Sequence, residues 1–402
     1  MRKARKYENE IYDQIKNILL KLKTLTVEEI MLFDFAAMDW NIDDWEYNDI
    51  QGKPVFRSIQ ETTMENVNGK MERLGSEYRI ISDKDCYSEF EKACWYYLSG
   101  CKTNWKNKFG IKTVEYDYDV SLTSMVIYKL LFKYLPMEMV IERYHFNIFQ
   151  MVQGDLVYRG DTMNSFNTPV IEFIRRYGDK KGKPLVCIIN QTLRSIHKGK
   201  FMVSNRKNYL RWYDFILDNI DYFRKQLPVE IETYSKWNHK IGNYLPVPFK
   251  AGNGKINSSR GMSATKDYWD LALNAIYKWY KEKDECAICR LVGKMNLEFC
   301  KRWLDNFVDK EGKPSWKIFI MQNFLEDFVE DNYGKPTPLW KEHFNRGVEP
   351  KTKNEFIEFF SEASKRIERR SRKMAEALHQ MLQEWNDEEL ERQIKKMIKL
   401  HE

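Results

Sequence analysis

The chain has 402 residues, with 66 Lys and Arg against 59 Asp and Glu for a formal net charge of +7, and it is 43% hydrophobic and 14% aromatic. That aromatic content argues for a folded interior and against disorder, and a length beyond the usual limit of one growing core predicts two or three sub-structures. The net charge is too small beside the charges that carry it to make the whole surface basic, so only a local cluster would attract a polyanion.

A mean hydropathy of −0.64 and the lack of a long apolar run predict no membrane span. The seven cysteines (Cys86, Cys94, Cys101, Cys187, Cys286, Cys289 and Cys300) are odd in number and scattered, and the opening MRKARKYENEIYDQIK lacks the apolar stretch of a secretory signal. The expected compartment is a reducing cytoplasm, and no cofactor is implied.

In chain order, Tyr7, Ile11, Ile15, Ile18, Leu19 and Leu22 recur at helical spacing. A second helix is expected near Thr26, which can cap it with Glu29 reaching back, carrying Ile30, Phe33 and Ala37 inward. Residues 49–85 switch to turn chemistry, Gly52-Lys53-Pro54 and Asn68-Gly69, with short β-like runs that suggest a small hairpin. Helical patterns return at 87–98 and at 121–135; the latter is nearly all apolar and so belongs at the centre. Further helices are read at 185–196, 208–227, 266–280 and 318–329.

The longest periodic segment covers 353–385, with Phe356, Phe359, Ala363, Ile367, Met374, Leu378 and Leu382 as its stripe. Asn386 followed by Glu389 then opens a terminal helix over 387–400. The expected fold is predominantly α: a multi-helix globular protein with one small hairpin or short sheet and a long C-terminal helix. Its expected divisions are 1–115, an N-terminal helical region; 116–350, a central helical core; and 351–402, the C-terminal helices.

The segment from His239 to Leu273 is the best candidate for a working surface. Gly252, Gly254 and Gly261 can bring backbone N–H groups close to a ligand, Lys255 and Arg260 add positive charge, and Thr265 can cap the helix that follows. A helix N-terminus so preceded suits an anion. The spacing does not fit G-x-x-x-x-G-K-[ST], and Asp267 and Asp270 compete for the same positive end. An ordered surface loop accounts for the same composition.

His239-Lys240-Ile241-Gly242-Asn243 followed by Asn257-Ser258-Ser259 resembles the tail of the HNH-type nuclease domain in Gmr-type modification-dependent restriction enzymes. The resemblance implies metal-assisted hydrolysis with an acidic residue and a histidine upstream of the Gly-Asn pair. Residues 209–238 contain no histidine, so a binding-only version is the form it implies. A broader set, Gly160-Asp161-Thr162-Met163-Asn164-Ser165-Phe166 with Ile241-Gly242-Asn243-Tyr244, Asn257, Arg260-Gly261 and Lys266-Asp267-Tyr268-Trp269-Asp270-Leu271, resembles an uncharacterised bacterial family, a domain of unknown function. It implies that these distant segments form one unit.

If they converge, Arg159, Asp161, Asn164 and Ser165 meet His239, Asn243, Lys255, Asn257 and Arg260 in one cleft able to recognise a phosphate or a base edge. Asp161 and His239 are its candidate acid and base. The alternative is structural: Asp161 or Thr162 caps a helix, and His239 and Asn243 close a turn.

Cys286-Ala287-Ile288-Cys289 has the separation of a metal half-site but lacks a second pair, so no metal is expected and the thiols read as small buried hydrophobes. The run Lys365, Arg366, Arg369, Arg370, Arg372 and Lys373 is the densest basic cluster and reads as an exposed stripe for a phosphate backbone. Interleaved Glu358, Glu362, Glu368 and Glu376 make intrahelical pairs on a solvated face the competing reading.

The expectation is binding of a phosphate-containing ligand, nucleic acid above a mononucleotide, with anti-phage defence as its setting. Its rivals are a hydrolase or nuclease using Asp161 and His239, and a structural protein that assembles into a homo-oligomer through its C-terminal helices.

Overall fold

A computed structural model describes residues 2–32, 88–90, 93, 122–135, 139–141, 149–153, 156–180, 183–184, 216, 219, 222–223, 225–238, 240–249, 268–294, 297–346 and 349–398. The expected hairpin at 49–85, the helix at 185–196 and most of the helices at 87–98 and 208–227 lie outside these residues.

The fold is predominantly helical. The described helices are α1 (Arg2–Thr24), α2 (Val27–Leu32), α3 (Leu122–Leu131), α4 (Asn167–Tyr177), α5 (Val229–Asn238), α6 (Trp269–Glu282), α7 (Glu285–Val292), α8 (Leu297–Asp305), α9 (Trp316–Gln322), α10 (His343–Arg346), α11 (Lys353–Glu384) and α12 (Asp387–Met397). Local sequence explains several starts. Thr26 accepts from Glu29 N–H while the Glu29 carboxylate accepts from Thr26 N–H, and Thr352 and Glu355 repeat this capping box at α11. Asn386 accepts from Glu389 N–H to open α12.

The long helix α11 is the spine. Its inward stripe, including Phe356, Phe359, Ala363, Ile367, Met374, Leu378 and Leu382, is fully buried. It packs against α1, α2, α3, α4 and α5, and α12 folds back on α1. Leu390, Ile394 and Met397 of α12 are buried in that contact. The apolar faces proposed for oligomerisation are therefore covered by this chain itself.

The helix α3 carries Met125, Val126, Ile127 and Tyr128 at 1% exposure or less, which places it at the centre as its composition predicts. Aromatic rings fill the gaps at edge-to-face angles: Phe173 meets Phe356 and Phe360, and Phe307 meets Phe319 and Trp303.

A four-stranded antiparallel sheet of β1 (Met139–Ile141), β2 (Phe149–Gln153), β3 (Leu156–Thr162) and β6 (Tyr244–Phe249) runs in that order. β4 (Asp179–Lys180) and β5 (Lys183–Pro184) pair antiparallel. Pro246 and Pro248 argue against a strand in isolation, yet among the described residues β6 stands at the sheet edge with only β3 beside it. Its prolines lie two apart, opposite Gly160 and Tyr158, so the same side of the strand lacks both N–H groups.

The helix read at 318–329 is two pieces. After α9 the chain turns at Asn323 and Phe324, whose φ of 55° is left-handed, into a single 3₁₀ turn at Glu326–Phe328. No Gly or Pro signals this break. Asn323 supplies it, donating its side-chain amide to Phe319 O.

Candidate functional site

Two of the polar segments converge. In β3–β6 pairing, Asp161 lies opposite Leu245 and Thr162 opposite Tyr244, and the chain beyond each strand end is joined by Met163 N–H donating to Asn243 O at 2.6 Å. Asn243 then closes the joint with its side chain. Its Oδ1 accepts from Asn164 N–H at 3.0 Å, and its Nδ2 donates to Asn164 O at 2.9 Å and to Asn238 O at 2.8 Å. Tyr234 donates its hydroxyl to Ser165 O at 2.8 Å.

The third segment joins through α6. Tyr268 stands at its N-cap without a side-chain cap bond, and Asn164 Oδ1, 105 residues away, accepts from Trp269 N–H at 3.1 Å. A remote asparagine thus does the work of a local cap, and the helix begins at Trp269 rather than at 266.

These residues form a sealed polar joint and not an open cleft. Asn164 and Asn243 have no exposure, and Asp161, Thr162 and Ser165 are buried. Asp161 and Thr162 belong to β3, and the cap position of α4, which starts at Asn167, is held by Phe166. The backbone of Arg159 pairs with Val247, while its side chain, His239, Lys255, Asn257 and Arg260 lie outside the described residues.

Gly242 explains the Gly-Asn pair. It sits against α11, where a Cβ would stand 2.6 Å from Ser371 N and closer still to Ile367 O. Its N–H donates to Ser371 Oγ at 3.0 Å. Only glycine permits so close an approach of two backbones.

The basic run is divided by the same helix. Arg366 and Arg370 point inward, correcting the expectation of a single exposed stripe. Arg370 is fully buried and donates to Gly242 O and Tyr244 O, each at 2.7 Å, and to Asn323 O at 3.1 Å. Arg366 donates to Thr337 O and Pro338 O at 2.7 and 2.8 Å.

These two guanidiniums donate to five backbone carbonyls in turns and at element ends. Burial lowers the Arg370 pKa to about 10, with Tyr134, Tyr128 and Glu326 acting against it. Arg366 is lowered by burial too, with Asp270, Glu362 and Asp327 opposing. The outward members are paired: Lys365 with Glu362, Arg369 and Lys373 with Asp327, and Arg372 with Glu28.

Residue spacing gave no hint of a second polar centre. Asp270, expected to compete for the positive end of α6, turns inward and accepts from Leu339 N–H at 2.8 Å. The same oxygen meets His343 Nδ1 at 2.5 Å, with both side chains wholly buried. Trp340 stacks on the imidazole at 3.4 Å, and Tyr268 meets it edge-on at 5.3 Å.

A carboxylate oxygen against Nδ1 favours a proton on that nitrogen and fixes the orientation of the ring. Among the described residues, neither Nε2 nor Asp270 Oδ1 has a hydrogen-bond partner. The partners are 73 residues apart, beyond any local pattern.

Among the described cysteines, Cys300 is buried as expected, and burial raises its thiol to about 12. Cys286 is exposed and Cys289 half-buried, contrary to the expectation of small core hydrophobes. Among the described residues no group of three or more His, Cys, Asp or Glu is placed to hold a metal ion, and no helix is long and apolar enough to cross a membrane.

No curated protein and no solved structure matches the chain. A family model does match, described as a family of unknown function (DUF6994), over residues 190–374. That span holds Gly242, Asn243, Asp270, His343, Arg366 and Arg370, and the chain is similar to this uncharacterised family across just under half its length.

Proposed function

We propose that the chain binds a phosphate-containing ligand, nucleic acid rather than a mononucleotide, through the glycine-rich basic segment between β6 and α6, with Lys255, Asn257 and Arg260 as contacts. The observation that supports this reading is the anchoring of that segment. The strand before it and the helix after it are tied to one buried Asn164–Asn243 joint. Fixed ends reduce the entropy a loop must surrender when it orders on a ligand.

The inward turn of Asp270 also favours the reading, because its carboxylate is engaged by Leu339 N–H and His343 instead of opposing an anion at the start of α6. A cytoplasmic, bacterial and anti-phage setting is part of the same proposal: the first rests on the odd, scattered cysteines, the second on the resemblance to an uncharacterised bacterial family, and the third on the HNH-type likeness.

The test is anisotropy with labelled single-stranded RNA, single-stranded DNA and duplex DNA over a salt series. Wild-type affinity should fall as salt rises, and Lys255→Ala with Arg260→Ala should make the log–log slope shallower by about 2 on duplex. Unchanged affinity and slope in the double variant would reject the site. For the hydrolytic alternative, expected at Asp161 and His239, the latter lies outside the described residues, and Asp270 with His343 is the acid–base pair that the described residues bring together. Cleavage of the same RNA that is lost in His343→Gln, with binding intact, would identify it.

A further inference from the structure

Helix α7 begins with Asp284 as its cap, accepting from Ala287 N–H at 3.0 Å. Cys286 and Cys289 follow in its first two turns, three residues apart and therefore on one face. Cys286 is exposed and Cys289 is half-buried beneath it. Helical geometry sets their Cα atoms roughly 5 Å apart, inside the range a disulfide spans. The first turn is already tightened toward 3₁₀ form, since Ala287 N–H also donates to Asp284 O at 3.2 Å. That geometry brings i and i+3 side chains toward eclipse.

We propose that Cys286 and Cys289 form a reversible dithiol site for low-molecular-weight disulfides, with Cys286 the attacking and Cys289 the resolving thiol. The Cys286 thiolate attacks one sulfur of a disulfide RSSR, forming the mixed disulfide and releasing one RS⁻. The Cys289 thiolate then attacks the Cys286 sulfur, closing the Cys286–Cys289 bond and releasing the second RS⁻. The protein loses two electrons and two protons, and RSSR becomes two RSH.

Exposure sets the order, because of the two Cys286 is the more open to a bulky reagent. Helical Cβ atoms at this spacing stand about 5–6 Å apart against the roughly 4 Å of a disulfide, so closure strains the turn. A strained, exposed disulfide is readily reduced, and the site is therefore reversible. Cys300, buried and with its thiol raised to about 12, is the internal control.

The test incubates the full chain with excess oxidised glutathione, blocks remaining thiols, and maps tryptic peptides by mass spectrometry. Both cysteines lie in one peptide, Asp284–Arg290, between the cuts after Lys283 and Arg290. That peptide should escape alkylation and appear two hydrogens lighter, returning to the alkylated form after reduced glutathione, while Cys300 is alkylated only after denaturation. In Cys289→Ser, the glutathione adduct should persist on Cys286. Full alkylation of both thiols in the wild type, or glutathione adducts that never resolve into the internal bond, would overturn the proposal.

Discussion

Asn243→Ala tests the joint that holds three segments together. The substitution removes three hydrogen bonds of 2.8–3.0 Å and strands the N–H of Asn164 in a place without solvent. At about 1 kcal/mol net for each bond and about 1–3 kcal/mol for an unsatisfied buried amide, the expected loss is about 4 kcal/mol. Asn164 O keeps a weaker bond from Tyr234 at 3.2 Å, which limits the damage on that side.

The assay is urea unfolding followed by tryptophan fluorescence, where the midpoint should fall with little change in slope. Asn243→Asp sharpens the test, because it keeps the shape but sets a carboxylate oxygen against Asn164 O and Asn238 O, and it should lose more than alanine does. A loss below about 1 kcal/mol for both variants would refute the claim that this side chain closes the joint.

Two further outcomes follow from the same geometry. Arg370→Met should destabilise the chain by about 3 kcal/mol despite removing a buried charge, because it removes the three hydrogen bonds that the guanidinium donates to the carbonyls of Gly242, Tyr244 and Asn323; a neutral or stabilising effect in the same urea experiment would show that those bonds contribute nothing net. Burial lowers Lys129 to about 8 from 10.5, so the unfolded chain binds more protons between these values and wild-type stability should gain on Lys129→Met as pH rises from 8 to 10.5; parallel stability–pH curves for the two proteins would contradict this.

Much of the architecture was legible because it is written within four residues. The capping box at Thr26 and the Asn386 cap are satisfied inside one helix, and the apolar stripe of α11 is set by its own three-and-four spacing. Even Arg370 left a trace: it stands three residues after Ile367 and four before Met374, on the buried stripe, although its charge led it to be placed outside. Three of the segments read as resembling one uncharacterised family contribute residues that are hydrogen-bonded together, Asn164, Asn243 and Trp269.

What the sequence determined alone was therefore the predominance of helix, the capped starts of α2 and α12, the long C-terminal helix and the central place of α3. The tertiary structure decided which polar groups are used up internally. Asn243 meets Asn164 across 79 residues, Asp270 meets His343 across 73, and Arg370 meets Gly242 across 128. The edge position that admits Pro246 and Pro248 into β6 is of the same kind. Residue type and spacing report which groups want partners, whereas only the packing of distant elements determines which partner arrives and whether water is left beside it.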